Sequence, residues 1–347
     1  MIRAVLRSLL PFLVGIPLLA LAQALVPDQY FLRIVIISVN VVLAVSLNVV
    51  NGFTGQFSLG HAGFMAVGAY TAAKVSLALA GVRIAAVPEV VSDQLAFAVA
   101  LGAGMGTAAL AGFLVGMPSL RLRGDYLAIV TLGFGEIIRS LIENTTFLGE
   151  ALGLQGLPKR TNLVWLGVSA LATIVMARRL AVSTQGRALF AIREDEIAAE
   201  AMGVNTIGYK VRAFTISAAY AGLAGGLLGH AIQLVTPAMF TFIRSFEVLV
   251  LVVLGGLGSI TGSVVTAIAL GLAVEEARQF EQYRMVVYAL LIIALMLLRP
   301  QGLFGTREIW DLPFFRRIPR LRPIAPGSEG ASPTEVRDEG GTGGGRA

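Results

Sequence analysis

The sequence has 347 residues, of which 56% are hydrophobic and 14% are charged, and its mean hydropathy is +0.79. A soluble globular domain carries about 25% charged residues, so this composition excludes a soluble protein and predicts one held in a bilayer. Cysteine is absent from the sequence, which excludes disulfides and thiolate metal sites. The net charge of +6 is typical of the cytoplasmic side of a membrane protein and does not indicate nucleic-acid binding.

The apolar runs are roughly 18 to 25 residues long, which is the length of membrane-spanning helices and exceeds that of β-barrel strands. We therefore predict an all-α polytopic integral membrane protein with about 8–10 transmembrane helices. The first run resembles a cleavable signal peptide, but the many spans after it favour a retained helix. The ten candidate spans are residues 8–26, 32–50, 58–80, 94–117, 125–142, 163–180, 212–234, 246–260, 262–274 and 285–298.

The distribution of Lys and Arg between the connecting segments predicts the orientation. It places the N-terminus, the long polar loop at about 183–212 and the C-terminus in the cytoplasm. From residue 313 onward the chain is rich in Pro, Arg, Gly and Glu, and it cannot bury enough apolar surface to fold. The expected organisation is one transmembrane domain over 1–312, followed by a disordered cytoplasmic tail over 313–347.

The loop reads STQGRALFAIREDEIAAEAMGVNTIGYKVR from Ser183 to Arg212. Asp195 is a good N-cap and Gly203 a good C′ residue, so a short helix is expected over about 196–202, after another over 187–193. Such short helices need a surface to pack on. The loop is either a connector resting on its own membrane domain or a docking element for a cytoplasmic partner. In the second case Ile197, Ala201 and Met202 would form the apolar contact, and Arg193, Glu194, Asp195 and Glu200 its polar rim.

The stretch NVVNGFTGQFSLGHAGF, residues 48–64, places glycines and polar residues between two apolar segments. Unpaired backbone groups are costly in hydrocarbon, so we expect a break in the helix that is buried in the bundle or faces a polar cavity. Gly55, Gln56, Ser58 and His61 either pack this break or line a translocation path, and His61 is expected to hydrogen-bond within the break. The stretch GGLGSITG, residues 255–262, follows the same pattern. It is either a junction between two short helices or a break in one, and the two breaks hint at an internal repeat.

Ionisable residues within the predicted spans are few. Glu136 lies in the span 125–142, and Arg139 follows it on the same helix face and can neutralise it. The pair is either a structural ion pair or part of a gate or translocation path. The two histidines, His61 and His230, are a weak metal signal, so no metal site is predicted. His230 is expected to be a satisfied polar group in helix packing.

The sequence lacks the nucleotide-binding motif GxxxxGK[ST]. Its three lysines, at positions 74, 159 and 210, are followed by Val75, Arg160 and Val211. We therefore predict that the chain is not an enzyme and binds no cofactor itself. If it uses ATP, another chain must hydrolyse it.

Several motifs carry a family resemblance. The segment GRALFAIREDEIAAEAMGVN resembles the cytoplasmic coupling loop of permease subunits of bacterial branched-chain amino acid ABC importers. NGFTGQFSLGHAGFMAVGAYTAA resembles the signature of the LivM-type subunit, and so do LGFGEIIR, GGLGSITG and RPQGLFG. The resemblance covers about residues 30 to 305, with the motifs in the expected order.

This resemblance implies a multi-pass protein of the bacterial inner membrane that imports branched-chain amino acids. It also implies a second, LivH-like permease subunit, two ATP-binding subunits that use the ATP, and a periplasmic amino-acid-binding protein. The loop residues named above, together with Gly203, would then couple the permease to the ATPases. Two alternatives stay open: a urea or short-chain amide ABC permease, and an ion-coupled secondary transporter, which the scarcity of intramembrane carboxylates disfavours. Because few fixed charges suit a zwitterion, we expect selectivity to reside mainly in the binding protein.

Overall fold

A computed structural model describes residues 27–80, 88–122 and 124–276, together with Ile293, Gly302, Leu303, Gly305 and Glu308. The expected spans at 8–26 and 285–298 and the expected tail at 313–347 lie outside the described residues, apart from Ile293. Within these ranges the architecture is all-α, and the sheet content is one two-stranded antiparallel pair, β1 (Leu154–Gln155) with β2 (Leu234–Val235).

Ten α-helices are described, and we number them in chain order. Short 3-10 turns cover Thr146–Leu148, Glu150–Leu152 and Pro237–Phe240. The helices are α1 (Asp28–Asn51), α2 (His61–Ala78), α3 (Glu89–Ser119), α4 (Asp125–Glu143), α5 (Leu163–Val182), α6 (Thr184–Glu194), α7 (Glu196–Ala201), α8 (Thr206–Ile232), α9 (Phe242–Gly255) and α10 (Ile260–Glu276).

Five segments within the described part are long and apolar enough to cross a membrane: 29–51, 91–119, 163–182, 206–232 and 237–255. Helix α10 contributes a shorter apolar stretch, Ile260–Ala273. Helices α2 and α4 are not among the five; α4 carries Glu136, Arg139 and Glu143 along its length. The all-α polytopic fold predicted from the sequence is confirmed.

Small residues bring the central helices α2, α3 and α8 into backbone contact. A Cβ placed on Gly68 of α2 would lie 2.1 Å from the Cα of Gly222 in α8, and one on Gly104 of α3 would lie 2.6 Å from the carbonyl oxygen of Gly68. Apolar helices in a membrane gain little from mutual burial, so close backbone approach supplies much of their attraction. These three helices, with α1, form the core around which the other elements are placed.

The region at 246–274, for which the sequence allowed either two short helices or one broken helix, consists of two helices. Helix α9 ends at Gly255, α10 begins at Ile260, and Gly256 and Gly258 between them have φ angles of +108° and +92°. Such angles suit glycine and end a helix abruptly. The reading of two short helices is therefore confirmed, and the break over 256–259 lies between them.

Candidate functional site

The polar loop folds as the helical hairpin α6–α7, as the sequence predicted. The Ser183 hydroxyl oxygen accepts a hydrogen bond from the Gly186 amide at the start of α6. Asp195 caps α7, with its Oδ1 accepting from the amides of Ile197 and Ala198 at 2.9 and 3.0 Å. Gly203 has a φ of +84° after the end of α7, as a C′ residue should. Because Thr206–Arg212 already belong to α8, the loop proper ends at Asn205.

One side of the hairpin is open. The Ile197 side chain is 66% exposed and Met202 is 84% exposed, with Ala201 and Glu194 exposed nearby. The Glu200 carboxylate accepts a hydrogen bond from Thr206 Oγ1 at 2.7 Å. This face combines apolar and charged groups, but its assignment as the coupling contact for an ATPase stays a prediction.

The other side of the hairpin packs on the membrane domain. Leu189 and Ile192 of α6 are buried, and the Phe190 ring lies 5.1 Å from that of Phe53. The Lys210 side chain is 1% exposed, and its Nζ lies 2.6 Å from Oε2 of Glu196. This lysine, which lies within the predicted cytoplasmic loop, connects α7 to α8.

Arg193 faces inward, contrary to its expected place on the polar rim. Its Nη1 donates to the carbonyl oxygen of Gly52 at 2.9 Å and approaches that of Leu257 at 3.5 Å. A Cβ on Gly55 would lie 3.1 Å from Arg193 Cγ, and one on Gly258 would lie 2.7 Å from Nη1. Backbone carbonyls at a helix end lack an intrahelical partner, and the guanidinium supplies one to Gly52 and approaches Leu257 in the second break. One side chain of the hairpin therefore touches both breaks.

The first break covers residues 52–60 and is partly buried, with Gly55 and Phe57 exposed. Its backbone is tied by the Ser58 amide, which donates to Asn51 Oδ1 at 3.3 Å, and by the Leu59 amide, which donates to Thr131 Oγ1 at 3.0 Å. Gly55 has a φ of +70°, and Ser58 is buried. Within the described part of the chain, Oε1 of Gln56 is buried and has no hydrogen-bond partner. The expected non-helical break is present, and the bundle covers only part of it.

The two histidines differ from expectation in their contacts. His61 is the first residue of α2, and its Nε2 lies 3.0 Å from Ser46 Oγ of α1. The expected hydrogen bond within the break is therefore wrong, because His61 is the first residue of α2 and pairs with Ser46 of α1. His230 Nδ1 lies 2.8 Å from the Gly226 carbonyl oxygen, while its Nε2 is buried without a partner among the described residues. The histidine is therefore only half satisfied.

The second break is held by residues that sequence reasoning did not single out. Asn48 of α1 accepts from the Gly258 amide at 2.8 Å and donates to the Ser259 carbonyl at 2.9 Å. Glu308 accepts from the amides of Ile260 and Thr261 at 2.7 and 3.0 Å, and also from the Thr261 hydroxyl. Asn48 is the first residue of the motif at 48–64, and Glu308 follows the motif RPQGLFG. Closeness to these motifs was therefore the sequence feature that could have pointed to both residues.

Glu136 pairs with Arg139 at 2.8 Å, as predicted, and Arg139 also pairs with Glu143 at 2.8 Å. The other Glu136 oxygen accepts from the amide of Phe242 at the start of α9, at 3.1 Å. This cluster is separate from the Arg193 junction. The sequence-predicted site residues thus form two clusters, and the first break borders both, since Leu59 lines a pocket together with Glu136.

The family model described as the permease component of the branched-chain amino acid transport system matches residues 30–296. The chain belongs to this permease family. It is 37% identical over 328 residues to the Escherichia coli K12 high-affinity branched-chain amino acid transport system permease protein LivM, covering 84% of this chain and 74% of the relative. It is 38% identical to the Salmonella typhimurium LivM over 298 residues, covering 76% of this chain and 67% of that protein.

The permease is also 33% identical over 149 residues to Escherichia coli K12 LivH, covering 42% of this chain and 48% of LivH. No solved structure matches. Both glycine breaks and the hairpin lie within the 30–296 match. Glu308 lies beyond it.

Proposed function

We propose that this permease is the LivM-type subunit of an ATP-driven importer of branched-chain amino acids in the bacterial inner membrane. Its relatives over most of its length carry that transport description. A LivH-like second subunit, two ATP-binding subunits and a periplasmic binding protein would complete the assembly. The sequence has no phosphate-binding motif, so in an ATP-driven importer the energy would enter through a contact with another chain.

The observation that carries this proposal is the bridge made by Arg193. The exposed face of the hairpin presents Ile197 and Met202, while its inner face sends the guanidinium to the Gly52 and Leu257 carbonyls. A partner that pulls or pushes the hairpin therefore acts on both helix breaks at once. Breaks of this kind are hinge points, because a few residues with unusual φ angles absorb the rotation.

The proposed cycle follows from this geometry. When the ATP-binding subunits close, the hairpin moves, and Arg193 carries the displacement to the breaks at 52–60 and 256–259. Helices α2 and α10, which begin directly after these breaks, then tilt relative to α1. The paired permeases would thereby expose a shared cavity to one side of the membrane and then to the other. ATP and substrate must each favour a different conformation for this cycle to run.

Cross-linking tests the docking contact directly, since the sequence contains no cysteine. In a complex with its ATP-binding subunits, Met202→Cys should cross-link to an ATP-binding chain that carries its own surface cysteine. Leu152→Cys is the matched control, because Leu152 is 74% exposed and lies in the separate segment between α4 and α5. Cross-linking of Leu152→Cys in place of Met202→Cys would reverse the predicted orientation.

Transport assays test the class and the substrate. In vesicles that contain the whole assembly, labelled leucine should accumulate with ATP, and labelled urea should not. The permease reconstituted alone should accumulate nothing against a gradient. Concentrative uptake by the lone chain would support the ion-coupled alternative, and urea uptake by the assembly would support the amide permease.

A further inference from the structure

Two membrane-spanning helices separate the hairpin from an ordered surface at the other end of the bundle. Helix α5 ends just before the hairpin and α8 begins just after it, and both are long and apolar enough to cross a membrane. Helix α5 starts after the segment 144–162, and α8 leads into β2, which pairs with β1 of that segment. The two helices rise about 30 Å and about 40 Å, whereas the hydrocarbon layer is about 30 Å thick. The hairpin and the segment 144–162 therefore lie on opposite sides of that layer.

This second surface, here called the outer cap, consists of residues 144–162 and 233–241. Two 3-10 turns, Thr146–Leu148 and Glu150–Leu152, and the β1–β2 pair give it a compact backbone. Non-helical backbone is not tolerated against lipid tails, because its N–H and C=O groups need hydrogen-bond partners. The outer cap therefore stands beyond the hydrocarbon layer.

Side-chain hydrogen bonds anchor the outer cap to the membrane helices. The Thr161 hydroxyl donates to the Leu227 carbonyl oxygen of α8 at 2.9 Å. Arg160 is buried, and its guanidinium donates to Ser76 of α2 at 3.0 Å and to Asp93 of α3 at 2.9 Å. The cap is therefore held in place by three different helices before any partner arrives.

Three side chains within six residues of the outer cap are open to solvent. Phe147 is 70% exposed and Leu152 is 74% exposed, although both are apolar. Glu150 between them is exposed and makes no ion pair within the described part of the chain. The Nζ atom of Lys74 lies 3.9 Å from the centroid of the Phe147 ring, which holds the ring in place. Apolar side chains that an ordered segment presents to water mark a surface for another protein.

We propose that Phe147, Glu150 and Leu152 dock a soluble protein on the outer side of the membrane, the periplasmic amino-acid-binding protein of the assembly. This inference rests on the proposed function, which places the hairpin in the cytoplasm. The matching surface would offer apolar recesses to Phe147 and Leu152 and a Lys or Arg side chain to Glu150. An anionic lipid surface is the other candidate occupant, but it repels an unpaired carboxylate. Because the cap is already ordered, docking costs little conformational entropy.

The start of α4 supplies a matched control. Tyr126 lies there and is 72% exposed, nearly as much as Phe147, which follows the other end of the same helix. The two positions therefore compare aromatic side chains of similar exposure at opposite ends of one helix. A general effect of losing an exposed aromatic ring would appear at both.

The test measures the Kd between the leucine-loaded periplasmic binding protein and the permease assembly in lipid nanodiscs. Phe147→Ala and Leu152→Ala should each raise this Kd at least about tenfold, as truncation of a central contact residue does. Tyr126→Ala should leave it unchanged. Glu150→Gln should raise the Kd and make it less dependent on salt, because one screened charge pair is lost. Thermal melting of each variant checks folding.

A fluorescent label distinguishes docking to a protein from contact with lipid. An environment-sensitive fluorophore on Leu152→Cys should shift its emission to the blue when the binding protein is added. Brominated lipid should not quench the fluorophore before that addition. Such quenching would show that lipid covers this side chain, and it would overturn the proposal.

Equal Kd values for the wild type, Phe147→Ala and Leu152→Ala would overturn the docking surface, and so would an equal loss in Tyr126→Ala. If the wild-type assembly accumulates leucine with ATP while these Kd values are equal, the proposed function survives and this inference does not. If the wild-type assembly neither binds the binding protein nor accumulates leucine, both fail.

Discussion

Arg193 at the end of α6 donates a hydrogen bond to the carbonyl oxygen of Gly52, 141 positions earlier in the chain, at 2.9 Å. The same nitrogen approaches the Leu257 carbonyl at 3.5 Å. The Arg193 guanidinium therefore connects the surface hairpin to two internal helix breaks. Since a charged donor makes a stronger bond than a neutral one, we expect motion of the hairpin to be transmitted to both breaks.

Removing this cation should uncouple ATP use from transport. In the reconstituted assembly, Arg193→Ala should lower leucine uptake at least about tenfold, the effect of losing a charged hydrogen bond worth 1.5–3 kcal/mol, while ATP hydrolysis continues. Arg187→Ala is the control, because Arg187 lies on the same helix but is exposed. Equal uptake by both variants would show that Arg193 does not transmit the motion.

Disrupting the hairpin itself should stop transport without preventing membrane insertion. Glu194→Arg reverses a charge on the exposed face, and Gly203→Pro forces a residue restricted to φ near −65° into a position with a φ of +84°. The double variant should be found in the membrane at normal abundance and show no ATP-driven leucine uptake. Uptake at the wild-type rate would refute the coupling assignment.

The central helix contact should respond sharply to a single methyl group. Gly68→Ala places a Cβ 2.1 Å from the Gly222 Cα, and overpacking of this kind costs about 1–3 kcal/mol. Gly102→Ala on α3 meets no atom within 4 Å and should be neutral or stabilising by up to about 1 kcal/mol, because alanine favours helix. Thermal unfolding in detergent measures both, and a lower Tm for Gly102→Ala than for Gly68→Ala would contradict the packing.

Asn48 should matter far more than its size suggests. Asn48→Ala removes the hydrogen bonds to Gly258 and Ser259. The Ser259 carbonyl keeps its bonds from Ser263, whereas the partly buried Gly258 amide loses its acceptor, at a cost of about 1–3 kcal/mol. The control is Asn144→Ala, since Asn144 is exposed at the end of α4. Thermal melting should separate the two variants clearly, and equal melting temperatures would show that water replaces the lost bonds.

Neutralising Glu308 should loosen the start of α10. Glu308→Gln weakens acceptance from the Ile260 and Thr261 amides, an interaction of the N-cap type worth about 0.5–2 kcal/mol. Hydrogen exchange at these two amides should rise, while exchange at the start of α8, where Asn205 accepts from the Gly208 amide, should stay constant. Unchanged exchange at α10 would mean that this helix end does not depend on the carboxylate.

Much of the fold followed from local chemistry in the sequence. Asp195 and Gly203 marked the ends of α7 because caps and left-handed glycines act within a few residues. The Glu136–Arg139 pair followed from helical spacing for the same reason. The broken region after α9 was recognised from its glycines, although the choice between one helix and two required the structure.

The contacts that were missed are all long-range. The sequence placed Arg193 on an outer rim and gave His61 a partner inside its own break, whereas their partners Gly52 and Ser46 lie on other elements. Lys210 lies within the predicted cytoplasmic loop, and its burial against Glu196 depends on how α7 packs against α8. Side-chain direction across a bundle is set by packing, which periodicity and composition do not specify.

The carboxylate of Glu308 also bears on the order in which the protein is made. The amides at the start of α10 precede it by 48 and 47 positions. These hydrogen bonds can therefore form only after residue 308 has been synthesised. We therefore expect the start of α10 to reach its final arrangement late during biogenesis. A chain truncated before Glu308 would lack the acceptor for the Ile260 and Thr261 amides. Membrane quality-control proteases should degrade it faster than a chain truncated just after that residue.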